Sequence, residues 1–155
     1  MAVHALYTIS VYVHVVAACA WVGSMLFFTA VVVPVLRRPE QAAAAGELVR
    51  QVGMRYRTFG WLCIGTLLVT GVLNLGLRGV GLDTLTSGPF WADGFGRALA
   101  YKLTAVAVVL ALTIAHEALS LRPRTRRLAR WLGRLTLLAS LLVVLLAVWL
   151  VRGMP

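Results

Sequence analysis

Charged residues are scarce in this sequence, and acidic residues are the scarcest. Only 13% of the 155 residues are charged and 61% are hydrophobic, whereas a soluble domain usually carries about 25% charged residues. Five acidic residues stand against fifteen basic ones, which gives a formal net charge of +10 at pH 7. With so few charged side chains, a water-soluble fold could not cover its apolar residues. This composition excludes a soluble globular protein.

The motifs of common catalytic sites are also missing. Cys19 and Cys63 lie inside apolar segments and lack the CxxC spacing, so a disulfide framework is not indicated. The sequence has no HExxH motif, no glycine-rich phosphate loop and no nucleophile paired with a histidine base. We therefore do not expect hydrolytic or phosphoryl-transfer chemistry. Whether the protein is an enzyme stays open, and the missing motifs favour a protein that is not one.

Four long apolar stretches, at about residues 5–36, 59–77, 98–121 and 132–151, make up most of the chain. A helix needs roughly 20 mainly apolar residues to cross the hydrocarbon core of a bilayer, and each stretch is close to this length or longer. We predict an all-α fold, a four-transmembrane-helix bundle that forms a single membrane domain over residues 1–155. The lipid bilayer is then the first partner of the chain.

The basic residues concentrate in the first and third connecting segments, and this predicts the orientation. The second connecting segment has only Arg78 and Arg97, beside Asp83 and Asp93. By the positive-inside rule, the first and third segments face the cytoplasm and both termini lie outside a bacterial inner membrane. No aromatic and basic recognition element points to nucleic acid. The arginines of the two cytoplasmic segments are Arg37, Arg38, Arg50, Arg55, Arg57, Arg122, Arg124, Arg126, Arg127, Arg130 and Arg134.

Histidines in the first apolar stretch are candidate ligands, because an ionisable side chain at bilayer depth is costly and needs a reason. His14 lies about 15 Å from the outer end of this helix, and Trp21 follows on the same face seven residues later. A histidine here is either a hydrogen-bonded core residue or a ligand, and in both cases it faces protein. Neutral imidazole binds copper and haem iron. His4, near the outer end of the helix, is a second candidate metal ligand.

Lys102 is the one lysine among the fifteen basic residues. It follows Asp93, the predicted N-cap of the third helix, by nine residues, and we expect it near the depth of His14. It either snorkels to the outer interface or serves as a ligand, proton carrier or counter-charge. His116 and Glu117 fall about 21 to 23 Å deeper along this helix. They are interface residues or mark an exit position at the cytoplasmic end.

The second apolar stretch is rich in small and weakly polar residues. Such residues allow neighbouring helices to approach closely in lipid, and the asparagine and threonines can hydrogen-bond to other helices. The alternative is that they leave room for a bulky prosthetic group. The residues are Gly60, Gly65, Thr66, Thr70, Gly71, Asn74 and Gly76.

Short motifs in three helices add a family resemblance. The run 14–28, with His14 and Trp21, and the segment 33–37 resemble the first helix of the copper resistance D-like (CopD-like) membrane proteins. Segments 70–74 and 96–103 resemble the second helix of that group and the Lys–Leu start of its third. The same elements are similar to those of the HemJ-type protoporphyrinogen oxidases, whose key histidine and lysine correspond to His14 and Lys102.

The resemblance implies two functions. The first is copper handling or transport across the inner membrane, through a metal site in the outer half of the bundle. The second is the binding of haem b by a membrane redox protein, with His14, Lys102 and Trp21 around the cofactor. A third expectation needs no cofactor: the chain serves as a non-catalytic assembly factor for another membrane complex, or forms a homo-oligomer.

Overall fold

Almost all of the described part of the chain is helical. The structure, a computed structural model, describes residues 1–36, 38, 42–120 and 123–152, and at 42–50, 123, 126 and 150–152 it describes the backbone alone. No strand occurs within these ranges, so the predicted all-α class is confirmed. The elements are α1 (Ala2–Phe27), a π-helical turn (Phe28–Val32), α2 (Val33–Leu36), α3 (Ala42–Leu77), α4 (Leu82–Thr86), α5 (Gly88–Ala92), α6 (Gly94–Ser120), a 3₁₀ turn (Pro123–Thr125) and α7 (Arg126–Arg152).

Four helical segments are long and apolar enough to cross a membrane, as predicted. They are Ala2–Leu36, Gln51–Leu77, Gly94–Ser120 and Arg127–Trp149. Many large apolar side chains on these segments are exposed, for example Leu62 at 66% and Val72 at 72%. In water such surfaces would drive aggregation, whereas lipid acyl chains cover them without penalty. The protein is therefore an integral membrane protein, and its apolar surface contacts the bilayer.

Three helices begin earlier than hydropathy predicts. α3 begins at Ala42, α6 at Gly94 and α7 at Arg126, against predicted starts at 59, 98 and 132. The added turns of α3 and α7 contain arginine, and those of α3 also contain glutamine. Both residues are good helix formers, so these helices continue beyond the part that lies at hydrocarbon depth. The earlier start of α6 instead follows its cap at Asp93. Arg55 and Arg57 consequently lie on α3, although the sequence pattern placed them in a connecting loop.

A wide turn interrupts the first membrane-spanning segment at a proline. Within the π-helical turn the amide of Val33 donates to the carbonyl of Phe28, five residues back. Pro34 follows directly, and in a regular α-helix its ring would clash with the carbonyl four residues earlier. The widened turn relieves that clash, so the segment continues to Leu36 as α2.

The chain divides into two compact units, 1–81 and 82–155. In the first, α1 packs antiparallel to α3. The contact face of α1 carries the buried residues Ser10, Ala17, Trp21 and Met25, spaced by seven, four and four residues. That of α3 carries Gly60, Cys63 and Thr70, also at helical spacing. Repeats of three and four residues keep one face of each helix toward its neighbour, as in coiled-coil packing.

In the second unit, α6 packs against α7. α6 begins at a capped end, because a side-chain oxygen of Asp93 accepts the amide of Phe95 at 3.3 Å, and the predicted N-cap is confirmed. The contact face of α6 includes the buried residues Leu99 and Val109. The facing side of α7 carries Ala129, Thr136 and Ser140, the last two with hydroxyl groups bonded to carbonyls of their own helix. That these two units form one membrane domain stays a prediction.

Some predicted topology residues lie outside this description. Arg37, Arg122 and Pro155 are not among the described residues, and of Arg50 and Arg126 only the backbone is described.

Candidate functional site

A histidine and a threonine join α1 to α3 within the first unit. Nδ1 of His14 and Oγ1 of Thr70 are 2.7 Å apart, and the threonine is only 8% exposed. His14 itself is half-buried. Because it lies in the middle of a membrane-spanning segment, this bond gives the ring a protein partner at hydrocarbon depth, as an intramembrane ionisable residue requires.

The hydrogen bonds of Thr70 determine which nitrogen of His14 carries the proton. Oγ1 of Thr70 lies 2.6 Å from the carbonyl of Thr66, which can only accept, so the threonine hydroxyl donates there. Its single proton is then used, and toward His14 the oxygen acts as acceptor. Nδ1 of His14 is therefore protonated. In the neutral ring the lone pair belongs to Nε2, the nitrogen that could ligate a metal.

Two buried polar atoms lie one helical turn from this bond, toward the N-terminus of α1. Oγ of Ser10 and Oδ1 of Asn74 are buried and make no hydrogen bond with the described residues. Ser10 precedes His14 by four residues and Asn74 follows Thr70 by four. Because α1 and α3 are antiparallel, these two residues face each other about 6 Å along the helix from the His14–Thr70 bond. A buried polar atom without a partner costs about 1–3 kcal/mol, so this position favours a bound polar group.

A second cross-helix contact lies beside this polar seam, on the side of the α1 N-terminus. We define the polar seam as Ser10, His14, Thr70 and Asn74. Nε of Arg78 donates to the hydroxyl of Tyr7 at 2.8 Å, and the guanidinium also lies 5.8 Å from the centre of the tyrosine ring. Tyr7 precedes Ser10 by three residues and Arg78 follows Asn74 by four, so both stand about one further turn along their helices. The His14–Thr70 bond within the polar seam and the Arg78–Tyr7 bond beside it together fix the register of α1 on α3.

On the other side of His14, toward the C-terminus of α1, the interface becomes apolar and tight. Trp21 is only 7% exposed, and its ring lies on Gly60, where a Cβ would stand 2.7 Å from Cζ3 of the indole. A Cβ on Gly71 would lie 3.6 Å from Cε1 of His14, in ordinary contact. Gly60 makes room for the indole ring of Trp21, so close packing explains it, whereas a small side chain would fit at position 71. A part for Trp21 in cofactor binding stays a prediction.

His4 lies apart from this seam. It is exposed at the beginning of α1, about 15 Å along the helix from His14, and its carbonyl accepts the hydroxyl of Thr8. Within the described residues no three His, Cys, Asp or Glu side chains lie together as a metal site would require. A ligand role for His4 stays a prediction.

Lys102 belongs to the second unit. It is half-buried on α6, three residues after Leu99 and seven before Val109, and this spacing places it on the face that packs against α7. The predicted shared depth of Lys102 and His14 stays a prediction, since the two residues lie in different units.

His116 connects α6 to α7 near the other end of α6. Its Nδ1 donates to the carbonyl of Ala129 at 2.7 Å, and a Cβ on Gly133 would lie 3.2 Å from its Cε1. The histidine thus has a packing partner and a hydrogen bond inside the second unit. This contact favours a structural part for His116 over an exit position.

Sequence reasoning missed part of the polar seam and the contact beside it. The sequence pattern indicates Thr70 and Asn74 as residues that could hydrogen-bond between helices, whereas it singles out neither Ser10 nor the Tyr7–Arg78 pair. The signal was available in the spacing, because Ser10, His14, Ala17 and Trp21 follow one another at intervals of four, three and four residues. Which residues of α3 contact this stripe depends on the register between the two helices. That register cannot be read from a single sequence.

Comparison with known proteins corrects the family resemblance. The model of a domain of unknown function, DUF4149, matches residues 16–131. The match begins two residues after His14 and includes Trp21, Thr70 and Lys102. The predicted membership of the CopD-like group, and the similarity to HemJ-type proteins, are wrong. The motifs misled because His, Trp, Gly and Thr at these positions serve helix packing, as Trp21 on Gly60 shows, and such pairs suit many membrane proteins.

One relative supports the match along most of the chain. An uncharacterised protein of Aquifex aeolicus (strain VF5) is 33% identical over 143 residues, which cover 88% of this chain and 90% of the relative. No solved structure matches the chain. The family model covers most of both units, and the chain therefore belongs to the DUF4149 family of membrane proteins.

Proposed function

We propose that this protein is a membrane-embedded binding protein that holds a metal ion or metal cofactor at His14, in the polar seam between α1 and α3. The observation that carries the proposal is the 2.7 Å bond from Nδ1 of His14 to Thr70. Histidines that ligate metals usually donate their other ring nitrogen to such a partner, which fixes the tautomer and the orientation of the ring.

A copper ion is the first candidate. Nε2 of a neutral His14 is a good copper ligand, and Cu(II) accepts mixed nitrogen and oxygen ligands. Ser10 and Asn74 would supply the oxygens, since both have a buried polar atom without a partner among the described residues. A copper ion held here would suit the capture or passage of the metal through the membrane. This copper hypothesis rests on the donor atoms, because the family resemblance that first suggested copper is wrong.

Haem b is the second candidate, and one feature favours it. Haem iron needs only one or two protein ligands, so the lone His14 imidazole suffices without the three-ligand group that a multidentate metal site requires. Haem would supply one-electron redox chemistry. The chain would contribute the imidazole of His14 as a ligand, held in orientation by Thr70, and Lys102 and Trp21 stay predicted neighbours of the cofactor.

The test is an absorption spectrum together with metal analysis of the protein purified from membranes in mild detergent. A Soret band identifies haem, and about one copper per chain without a Soret band identifies copper. We expect His14→Ala to remove the bound centre and Thr70→Val to weaken it about 10- to 100-fold, the usual effect of losing a partner of a metal ligand. Lys102→Met should shift the spectrum or weaken binding without unfolding the protein.

His116→Ala is the matched control, because it removes a half-buried histidine that is also hydrogen-bonded between two helices. It should leave the centre in place. His4→Ala should do the same unless His4 is a ligand, so this variant tests the predicted ligand role of His4. A centre that survives His14→Ala but disappears in His116→Ala would contradict the proposal. A wild-type protein with neither copper nor haem would also contradict it and would favour the non-catalytic assembly role.

A further inference from the structure

One face of α7 is exposed along its whole described length and changes character along the helix. Its first two turns carry Arg127, Arg130, Trp131 and Arg134, at intervals of three, one and three residues, and all four are exposed. These intervals bring the four side chains to the same side of an α-helix. The opposite side packs on α6 through Ala129, Thr136 and Ser140. The arginines therefore point away from the contact with α6.

The same face continues as a row of leucines. Leu138, Leu141 and Leu145 are exposed at 62%, 40% and 64%, and they follow Arg134 at intervals of four, three and four residues. The membrane-spanning part of α7 is Arg127–Trp149. The arginines thus lie at its end, at the depth of lipid headgroups, and the leucines lie at the depth of acyl chains. We define this face, from Arg127 to Leu145, as the α7 stripe.

The positive charges of the α7 stripe have no acidic counterpart nearby in the sequence. No Asp or Glu occurs after Glu117. Within the described part of the chain, Arg127, Arg130 and Arg134 make no hydrogen bond or ion pair, and Arg134 lies over the ring of Trp131 at 5.1 Å from its centre. Three guanidinium groups at a membrane interface therefore lack an anionic partner from the described residues.

We propose that the α7 stripe is a binding site for an anionic phospholipid. The guanidinium groups of Arg127, Arg130 and Arg134 bind the phosphate headgroup, and the acyl chains lie along the leucines. Guanidinium groups bind phosphate oxygens through paired, charge-assisted hydrogen bonds. Trp131 lies at the interface, where an amphipathic ring is favoured, and stacking on Arg134 orients one of the three charges.

A lipid-binding site and a signal for membrane topology predict different effects when arginine is replaced by lysine. Lysine and arginine serve the positive-inside rule alike, whereas lysine offers a single ammonium group and cannot form the paired bonds of a guanidinium. Replacement of all three arginines by lysine should therefore preserve insertion and orientation while weakening lipid binding. This separates the proposal from the ordinary interpretation of basic residues beside a membrane helix.

The experiment measures lipid binding by the full chain purified in detergent. Native mass spectrometry counts bound phosphatidylglycerol, cardiolipin and phosphatidylcholine, and the melting temperature is followed as each lipid is added. For the wild type we expect retention of the two anionic lipids and a rise in melting temperature with them. Phosphatidylcholine and inorganic phosphate at equal concentration should give neither effect, because one lacks net charge and the other lacks acyl chains.

The variants then test the stripe. Arg127→Lys, Arg130→Lys and Arg134→Lys together should weaken anionic lipid binding about tenfold, and three glutamines should abolish it. A control with Arg38→Gln, Arg55→Gln and Arg97→Gln removes three exposed arginines elsewhere and should bind as the wild type does. Wild-type binding by the lysine variant, or equal loss in the control, would overturn the proposal. An equal response to inorganic phosphate would overturn it too. If the glutamine variant does not insert into the membrane, the lysine variant still tests the proposal.

Discussion

At the scale of single residues, rings placed on glycines determine how closely the helices approach. Trp21 lies on Gly60 in the first unit, and His116 lies on Gly133 in the second. Lipid offers no hydrophobic driving force between helices, so close packing and hydrogen bonds must hold them together. Each of these glycines removes the side chain that would otherwise keep the neighbouring ring away.

Gly60→Ala tests this packing directly. A Cβ at this position would lie 2.7 Å from Cζ3 of Trp21, and overpacking of this kind typically costs about 1–3 kcal/mol. Alanine is the better helix former by up to about 1 kcal/mol, so the net effect is destabilising. We expect a fall of several degrees in the melting temperature in detergent.

Gly65→Ala is the matched control for that experiment. It lies on the same helix, and a Cβ there would have nothing within 4 Å, so its melting temperature should equal or exceed that of the wild type. In a Trp21→Phe background the smaller ring lacks the edge that carries Cζ3, and the penalty of Gly60→Ala should shrink. An equal loss in both backgrounds would show that the contact with Trp21 is not the cause.

At the scale of elements, the beginning of α6 depends on a single side chain. Asp93 accepts the amide of Phe95, and its carbonyl accepts the amide of Arg97. We expect Asp93→Ala to cost about 1 kcal/mol, the usual loss for a removed N-cap. Asp93→Asn should cost only a few tenths, because the amide oxygen still caps the helix while the charge is gone.

The measurement is the melting temperature, followed together with proteolysis of the segment before α6, which should be cleaved faster when the cap is lost. Asp83→Ala removes a carboxylate from the same connecting segment. The Asp83 side chain is exposed and lies on the short helix α4, not at the beginning of α6. This variant should behave like the wild type. A similar loss from both alanine variants would point to the net charge of the segment instead of the cap.

The same elements show what a single sequence can predict. The apolar stretches and the cap at Asp93 could be predicted because each depends on residues close together in the chain. The start of α3 at Ala42 could not, because arginines and glutamines outside the hydrocarbon support a helix as well as a loop. The partners of His14 could not be predicted either, because Thr70 is 56 residues away and the contact depends on the register of two helices.

At the scale of the whole molecule, four membrane-spanning segments predict that both termini lie on the same side of the membrane, because the number is even. Which side this is depends on charge alone. Eleven of the fourteen arginines lie in the first and third connecting segments and the beginnings of the helices that follow them. Arginine near the end of a membrane helix stays in the cytoplasm in most membrane proteins. The depth of the polar seam also depends on this side, since His14 lies nearer the end of α1 that carries the N-terminus.

We therefore expect reporter fusions to alternate along the chain. Alkaline phosphatase, which is active only after export, should be active when fused after Gly81 or Pro155 and inactive after Arg38 or Arg124. A fluorescent protein that matures only in the cytoplasm should give the opposite pattern at the same four positions, and the two reporters control for each other's expression. Inverted results at all four positions would still agree with four membrane-spanning segments, but the orientation of the protein in the membrane would be the opposite of the predicted one. His14 would then lie in the cytoplasmic half of the bilayer. Disagreement between Gly81 and Pro155 would mean that one apolar segment of the second unit does not cross the membrane.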